Sequence, residues 1–314
     1  MRDPNLYFSR SVDIEILFLI NIFRFLPLRL LTKLLIDKGI YTKYQAVARS
    51  VNRLEKLGLI RFKFYADHSK IIFLSRNGAR LLSQARGIPE DSINCPDRLS
   101  GVNLGAIEHT LKVADLYYLF FTECQKFGFE LIQYRGDNSI RYPYEFQMQK
   151  RGGGGTFTIR RIVAPDAEIK IRNKENILKT FFVEYDRGTE FSKDVAEKYQ
   201  KYFELYFLTD YDKRDEFPSI LFIAENTMQR IKNLIPYEGS LTNFGDYDLR
   251  DKNNVVLKGV FMNQIREHDY QYYYKQFLKD ANKFLFIEYS NLKANGFNAK
   301  WLNYNQQEKT LINE

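Results

Sequence analysis

The residue types best suited to chemistry lie between positions 163 and 190, VAPDAEIKIRNKENILKTFFVEYDRGTE. Val163 to Arg172 reads as a short extended run. Leu178 to Asp186 reads as a second, the most apolar strand candidate in the chain, with a polar, turn-like break at Asn173 to Asn176. Side chains alternate faces along a strand, so Asp166 shares a face with Glu168, and Glu184 with Asp186. Carboxylates gathered at the ends of adjacent strands are costly to hold together unless a positive group lies between them. A divalent metal, Arg187 or a lysine can supply that charge. The alternative is four carboxylates standing in water and paired with nearby Lys and Arg.

Such strands need a helix to cover them. Thr189 can cap one running from Glu190 to about Leu208, with Phe191, Val195, Tyr199 and Phe203 or Tyr202 inward and Lys193, Lys198 and Lys201 along it. Phe217 to Ala224 and Val255 to Met262 read as further strands, with a short helix from Asn226 to Leu234. Ahead of the site, Gly105 to Lys126 carries Ile107, Leu111, Ala114, Tyr118 and Phe121 as a helical stripe. Glu108 on that helix is either a further carboxylate for the site or an ordinary partner of Lys112. Phe129 to Arg135 reads as a strand, and Gly152 to Gly155 as a hairpin tip, since the run lacks the Lys-Ser/Thr ending of a phosphate loop. Residues 265 to 288 read as one or two helices rich in Tyr and Phe, for core or dimer packing or for stacking on single-stranded bases. The alternation of helix and strand argues an α/β architecture with a mixed sheet.

The first third is different. Helices are expected over residues 11 to 26, from Pro27 to about Lys38, and from Lys43 to Leu57 behind a Thr42 cap. Strands Ile60 to Tyr65 and Lys70 to Leu74 follow, then a helix from Arg76 to Ala85. On the third helix Val47, Val51 and Leu54 face inward, which leaves Lys43, Tyr44, Gln45, Arg49, Asn52 and Arg53 on or near the outer side. Arg and Gln can read base edges, and Lys and Tyr can hold phosphates; Lys63 and Lys70 of the hairpin extend the set.

Charge points the same way. Residues 1 to 100 hold 17 Lys and Arg against 9 Asp and Glu, a balance of +8, while the remainder holds 30 of each. The whole net charge of +8 therefore sits in the first third, as expected of a part that meets a polyanion, with nucleic acid ahead of an acidic membrane surface. The two cysteines, Cys95 and Cys124, form neither a disulfide framework nor a metal motif, which suits a reducing, cytoplasmic setting. The longest apolar stretch, Val12 to Ile36, is interrupted by five charged residues, so no membrane span or membrane partner is expected. The N-terminus lacks the order of a signal peptide. Length and the composition breaks suggest residues 1–88 as one domain, 89–104 as a linker, 105–290 as a second domain and 291–314 as a polar tail.

Three resemblances rest on these residues. LEKLGLIRFKFY, a hairpin and LSRNGARLL resemble bacterial winged-helix DNA-binding domains, a helix-turn-helix variant. Pro165-Asp166, a strand and Glu184-Tyr185-Asp186 resemble the PD-(D/E)XK nuclease core. The longer string Glu184-Tyr185-Asp186-Arg187-Gly188-Thr189-Glu190, with Lys198 and Tyr199 beyond it, resembles the replication-relaxation family, over roughly residues 12 to 235. The nuclease resemblance implies that Asp166 and Glu184 bind a metal such as Mg²⁺ and that a lysine positions water. Asp186 stands where that lysine belongs, and Lys198 is the candidate to replace it; a solvated or carboxylate-paired Lys198 is the alternative. The family resemblance implies an N-terminal winged helix and a PD-(D/E)XK nuclease-like domain. It also implies an accessory role in replication, relaxation or conjugative transfer of a plasmid or mobile element. The partners implied are double-stranded DNA, a relaxase or replication proteins, and a second copy of the chain. The nuclease-like part would then be inactive and used for assembly; a metal-dependent DNA endonuclease and a winged-helix transcription regulator are the alternatives.

Overall fold

The computed structural model describes residues 11–65, 69–96, 104–136, 139–149, 156–188, 192–208, 216–225, 230–231, 277, 283–303 and 306–311. The chain forms two compact units. One holds residues up to Thr122 together with Tyr134–Ser139, and the other Glu123–Gln133 with Ile140 onward. The first unit thus runs past the expected linker into the long helix that follows it.

The first unit opens with α1 (Ser11–Phe23), the two-residue strand β1 (Leu26–Pro27), α2 (Leu28–Asp37) and α3 (Tyr44–Lys56). A hairpin of β2 (Ile60–Phe64) and β3 (Lys70–Leu74) follows, then α4 (Arg76–Arg86). The first helix stops earlier than its apolar spacing suggests because Arg24 takes a left-handed φ of 61°, after which Leu26 and Pro27 pair with Ile72 and Ile71. The small sheet is ordered β1-β3-β2. Lys43, and not Thr42, is the cap residue of α3, without a side-chain bond. Gly58 ends that helix with φ +69°, a conformation that costs glycine little. Ser75 caps α4 by accepting the Gly78 N–H at 3.1 Å. Val47, Val51 and Leu54 of α3 are fully buried against the other helices, as their spacing predicts. α5 (Leu104–Phe127) comes next, its residues up to Thr122 belonging to this unit. Glu108 on it accepts the Tyr65 hydroxyl at 2.6 Å.

The second unit is built on a seven-stranded mixed sheet. Its strands are β4 (Glu130–Gly136, whose residues from Tyr134 on are counted with the first unit), β7 (Ala167–Arg172), β8 (Leu178–Asp186), β9 (Ser219–Ala224), β10 (Phe284–Glu288), β11 (Trp301–Asn303) and β12 (Glu308–Lys309), ordered β12-β11-β10-β9-β8-β7-β4. β8, β9 and β10 run parallel, and β7 lies antiparallel to β8. A separate antiparallel ribbon joins β5 (Tyr142–Gln149) to β6 (Thr156–Val163). α6 (Ser192–Leu208) packs on the sheet through Val195, Tyr199, Tyr202 and Phe203. Parallel strands buried on both faces read as unbroken apolar runs. SILFIA of β9 has that form, with five of its residues buried.

Two expectations fail here. Phe284–Glu288, placed by its aromatic spacing in a last helix, is strand β10: FLFIE is buried on both faces between β9 and β11, where a continuous apolar run suits a strand. The expected polar tail is also folded. α7 (Tyr289–Asn295) leads to β11 and β12, and Trp301 is wholly buried. Polar residues dominate this segment, but a few large apolar ones anchor it. The strand expected at Val255 to Met262, the glycine run 152–155, the Thr189 cap and nearly all of the Tyr-rich helix lie outside the described residues. Of Asn226 to Leu234, only residues 230–231 are described, and they are helical. Among the described residues no helix is long and apolar enough to cross a membrane.

Candidate functional site

The acidic site is assembled by register. Antiparallel pairing of Ala167 with Val183 and Glu168 with Phe182 brings the start of β7 beside the end of β8. Asp166, Glu168, Glu184 and Asp186 therefore meet on one face of the sheet, as the period of two predicts. That face is covered by α6 and by the base of the β5–β6 ribbon, through contacts of Phe182 with Tyr202 and Tyr142. The side chains do not stand in water: Glu168 is 1% exposed, Glu184 3% and Asp186 3%.

Each carboxylate has its own partner. Asp166 Oδ2 accepts the backbone N–H of Tyr185 at 2.7 Å, which ties the β7 entry to β8. Glu168 accepts the Tyr142 hydroxyl and lies 3.6 Å from Lys170 Nζ. Glu184 Oε1 accepts the Tyr202 hydroxyl at 2.5 Å, and its Oε2 is 2.8 Å from Lys198 Nζ. Burial pushes the Glu184 carboxyl up to about 7, against the pull of Lys198 downward. Burial likewise raises the Tyr202 phenol well above its ordinary value, reinforced by the neighbouring Glu184. Tyr202 is thus a hydrogen-bond donor to a carboxyl group whose charge burial disfavours and Lys198 favours.

Asp186 is held by Arg230 through a two-pronged pair, Nε to Oδ2 at 2.5 Å and Nη2 to Oδ1 at 3.1 Å, and it also accepts the Gly188 N–H at 2.9 Å. The position where the nuclease pattern carries a cation is therefore an anion with an arginine folded onto it. Lys198, expected from the following helix, does reach Glu184.

A magnesium ion takes six oxygen ligands in near-octahedral geometry. Asp166 and Glu184 offer two carboxylates, one spent on a backbone N–H and the other on a lysine ammonium and a phenol. Among the described residues no three His, Cys, Asp or Glu side chains form a group that could hold a metal. In this arrangement both carboxylates are engaged by groups of the protein itself.

One buried acid was not singled out in the sequence. Glu204, two turns along α6 from Glu197 and 1% exposed, accepts the Tyr144 hydroxyl at 2.6 Å, Gln200 Nε2 at 3.0 Å and Arg161 Nη1 at 3.2 and 3.3 Å. Burial raises its carboxyl above the usual range even beside Arg161. It fastens the β5–β6 ribbon to α6. The alternation that places Tyr144 and Arg161 opposite each other, with Cα partners in register, was the only signal available.

The basic site lies in the first unit. Lys43, Tyr44, Gln45, Arg49 and Asn52 are exposed along the outer side of α3, Tyr44 at 51%. Lys63 and its neighbour Arg61 are exposed on β2. Lys70 of β3 is drawn against α3, 3.6 Å from Glu55 and 3.5 Å from Asn52. Arg53, its side chain 38% exposed near the outer side, has a partner that the spacing does not show. It is hydrogen-bonded and ion-paired to Asp13 of α1, a carboxylate 2% exposed, and this partner raises the guanidinium further above its ordinary range. A buried aspartate requires a cation, and Arg53 supplies one.

These arrangements define a mixed α/β protein with a helical, basic first unit and a second unit whose sheet buries acidic side chains paired within the chain. Residues 17–220, about two thirds of the chain, match the replication-relaxation family model, and the chain belongs to that family. No curated protein and no solved structure matches it. Membership points to a role in replication or relaxation.

Proposed function

We propose that this chain is a DNA-binding accessory protein in the replication, relaxation or conjugative transfer of a plasmid or mobile element. The first unit acts as a winged helix on duplex DNA, and the second keeps a nuclease-like sheet as an assembly platform for a relaxase or replication proteins. The observation that carries the reading is the row Lys43, Tyr44, Gln45 and Arg49, exposed on a helix that is followed directly by an antiparallel hairpin bearing Arg61 and Lys63. A helix of that kind fits a major groove about 12 Å wide. Its lysines and arginine meet phosphates, and Gln45 and Asn52 present amides suited to adenine edges.

The second unit supports assembly over cleavage because its carboxylates are already occupied by Lys198, Tyr202, Arg230 and a backbone N–H. The experiment is a pair of assays on the full chain. Duplex binding is followed by fluorescence anisotropy across a salt series, and cleavage of supercoiled and single-stranded DNA is followed with Mg²⁺ or Mn²⁺. Salt-dependent binding without cleavage is expected. Cleavage that disappears in Asp166→Ala and in Glu184→Ala would make the protein a nuclease; absence of binding at low salt would overturn the DNA reading.

A further inference from the structure

Phe64 ends strand β2 with 60% of its surface exposed, an unusual place for a phenylalanine. Its surroundings are organised. The ring packs edge-on against Phe62, with centroids 5.4 Å apart and planes at 80°. Lys70 Nζ sits 3.7 Å from the centre of the Phe62 ring. Phe64 is the cross-strand partner of Lys70, and Phe62 that of Ile72, so Phe62, Phe64 and Lys70 share one face of the hairpin. Lys70 also reaches Asn52 and Glu55, which makes that face continuous with the outer side of α3. Arg61 and Lys63 alternate with the two rings and are exposed. The loop is closed by the Tyr65 N–H on Ser69 O at 2.9 Å, so the aromatic end is held in place by the ladder.

We propose that Phe64, supported by Phe62 and Lys70, is a stacking platform for an unpaired base, and that the ligand of the first unit is a junction between duplex and single-stranded DNA. This rests on the DNA reading above and adds the structure of the DNA it selects. An exposed aromatic ring gains most from an aromatic face laid on it, and bases supply that face whatever their identity. Inside an intact duplex both faces of every base are covered by their neighbours. Only a base at the end of a paired stretch or beyond it has a face to offer. Lys70, on the same face as the two rings, is the cation that fits a nucleic-acid ligand there, while Arg61 and Lys63 project from the other face of β2. With α3 on the paired side, the hairpin end meets the first unpaired nucleotide. An apolar protein partner would gain nothing from the Lys70 ammonium that lies against the patch.

The test compares a blunt duplex with the same duplex carrying a single-stranded extension, both titrated with the full chain. The extension is expected to tighten binding roughly tenfold, the size of one base–aromatic stack. Phe64→Ala is expected to lose that gain and to keep its affinity for the blunt duplex. Phe64→Trp keeps the gain, and its indole emission is quenched by the extension and not by the blunt duplex. Equal affinity of the wild-type chain for both DNAs overturns the proposal, and so does a gain that survives in Phe64→Ala. If neither DNA binds, the DNA reading itself has failed; if both bind equally, that reading stands and only the junction preference falls.

Discussion

Lys198 Nζ lies 2.8 Å from Glu184 Oε2, and the two differ sharply in environment, the lysine side chain 27% exposed and the carboxylate 4%. The lysine comes from α6, not from β8. Two residues after Glu184, Asp186 takes a second distant cation, Arg230. The two acids on β8 are thus paired with two bases from elsewhere in the chain. Lys198 occupies the carboxylate it reaches.

Burial should make Glu184 visible in the pH dependence of folding. Its carboxyl is raised from an ordinary 4.5 to about 7 in the folded chain. Between those values the folded state keeps a proton that the unfolded state has released. The contribution of this group to stability therefore falls as pH rises across that window. Glu184→Gln removes the titration and keeps an acceptor for Tyr202. Urea unfolding of both proteins should show the variant gaining on wild type between about pH 5 and about pH 8. A difference that is flat, or that moves the other way, would refute the raised carboxyl.

Removing the lysine tests the pair from its other side. Lys198→Met should cost about 1–3 kcal/mol in the unfolding free energy near neutral pH, as for a hydrogen bond to a charged, buried group. The same substitution in a Glu184→Gln background should cost much less, because no charge is left to stabilise. A double-mutant cycle from urea titrations measures the coupling. Additive losses would mean that the 2.8 Å contact contributes nothing.

How much of this was legible follows from the range of each interaction. The strands around Asp166 and Glu184, and α2, α3 and α4, follow from periodicity and punctuation, which are local signals, so their boundaries agree with the sequence to within a few residues. The shared face of the four carboxylates also follows, since it needs only a period of two. What could not be read is long-range. Asp13 finds Arg53 across 40 residues, Asp186 finds Arg230 across 44, and Tyr144 finds Glu204 across 60. FLFIE fits helix or strand by composition, and only the parallel pairing with β9 decides. Phe64 was passed over because two aromatics at alternate positions of a strand mark a shared face without showing whether core or solvent covers each.

Placing a lysine at position 186 should not create a nuclease. Asp186→Lys would set its ammonium against the Arg230 guanidinium, which now makes two bonds to the aspartate. Loss of a mostly buried pair of this kind costs about 3–5 kcal/mol, and the added like charge makes it worse. A fall in melting temperature with no gain of Mg²⁺-dependent cleavage is the expected result. A variant that keeps wild-type stability and cuts DNA would show that Asp186 alone blocks the chemistry.

Arg49 and Arg53 lie four residues apart on α3, yet they should fail in different ways. Arg49 is exposed, and Arg49→Ala should leave stability within about 0.5 kcal/mol. If α3 meets phosphates, the same change should lower the slope of log affinity against log salt by about one. Arg53 is fastened to the buried Asp13 of α1, so Arg53→Ala should cost about 1–3 kcal/mol of stability, the scale of a hydrogen bond to a charged group. Its effect on DNA affinity should come mainly through the position of α3, so Arg53→Lys, which keeps the charge but not the planar fork, should bind DNA with an unchanged salt slope and still unfold more easily. Thermal unfolding and anisotropy on the three variants separate the roles. Equal losses of affinity and no loss of stability at either position would place both arginines on the DNA and leave the Asp13 contact without consequence.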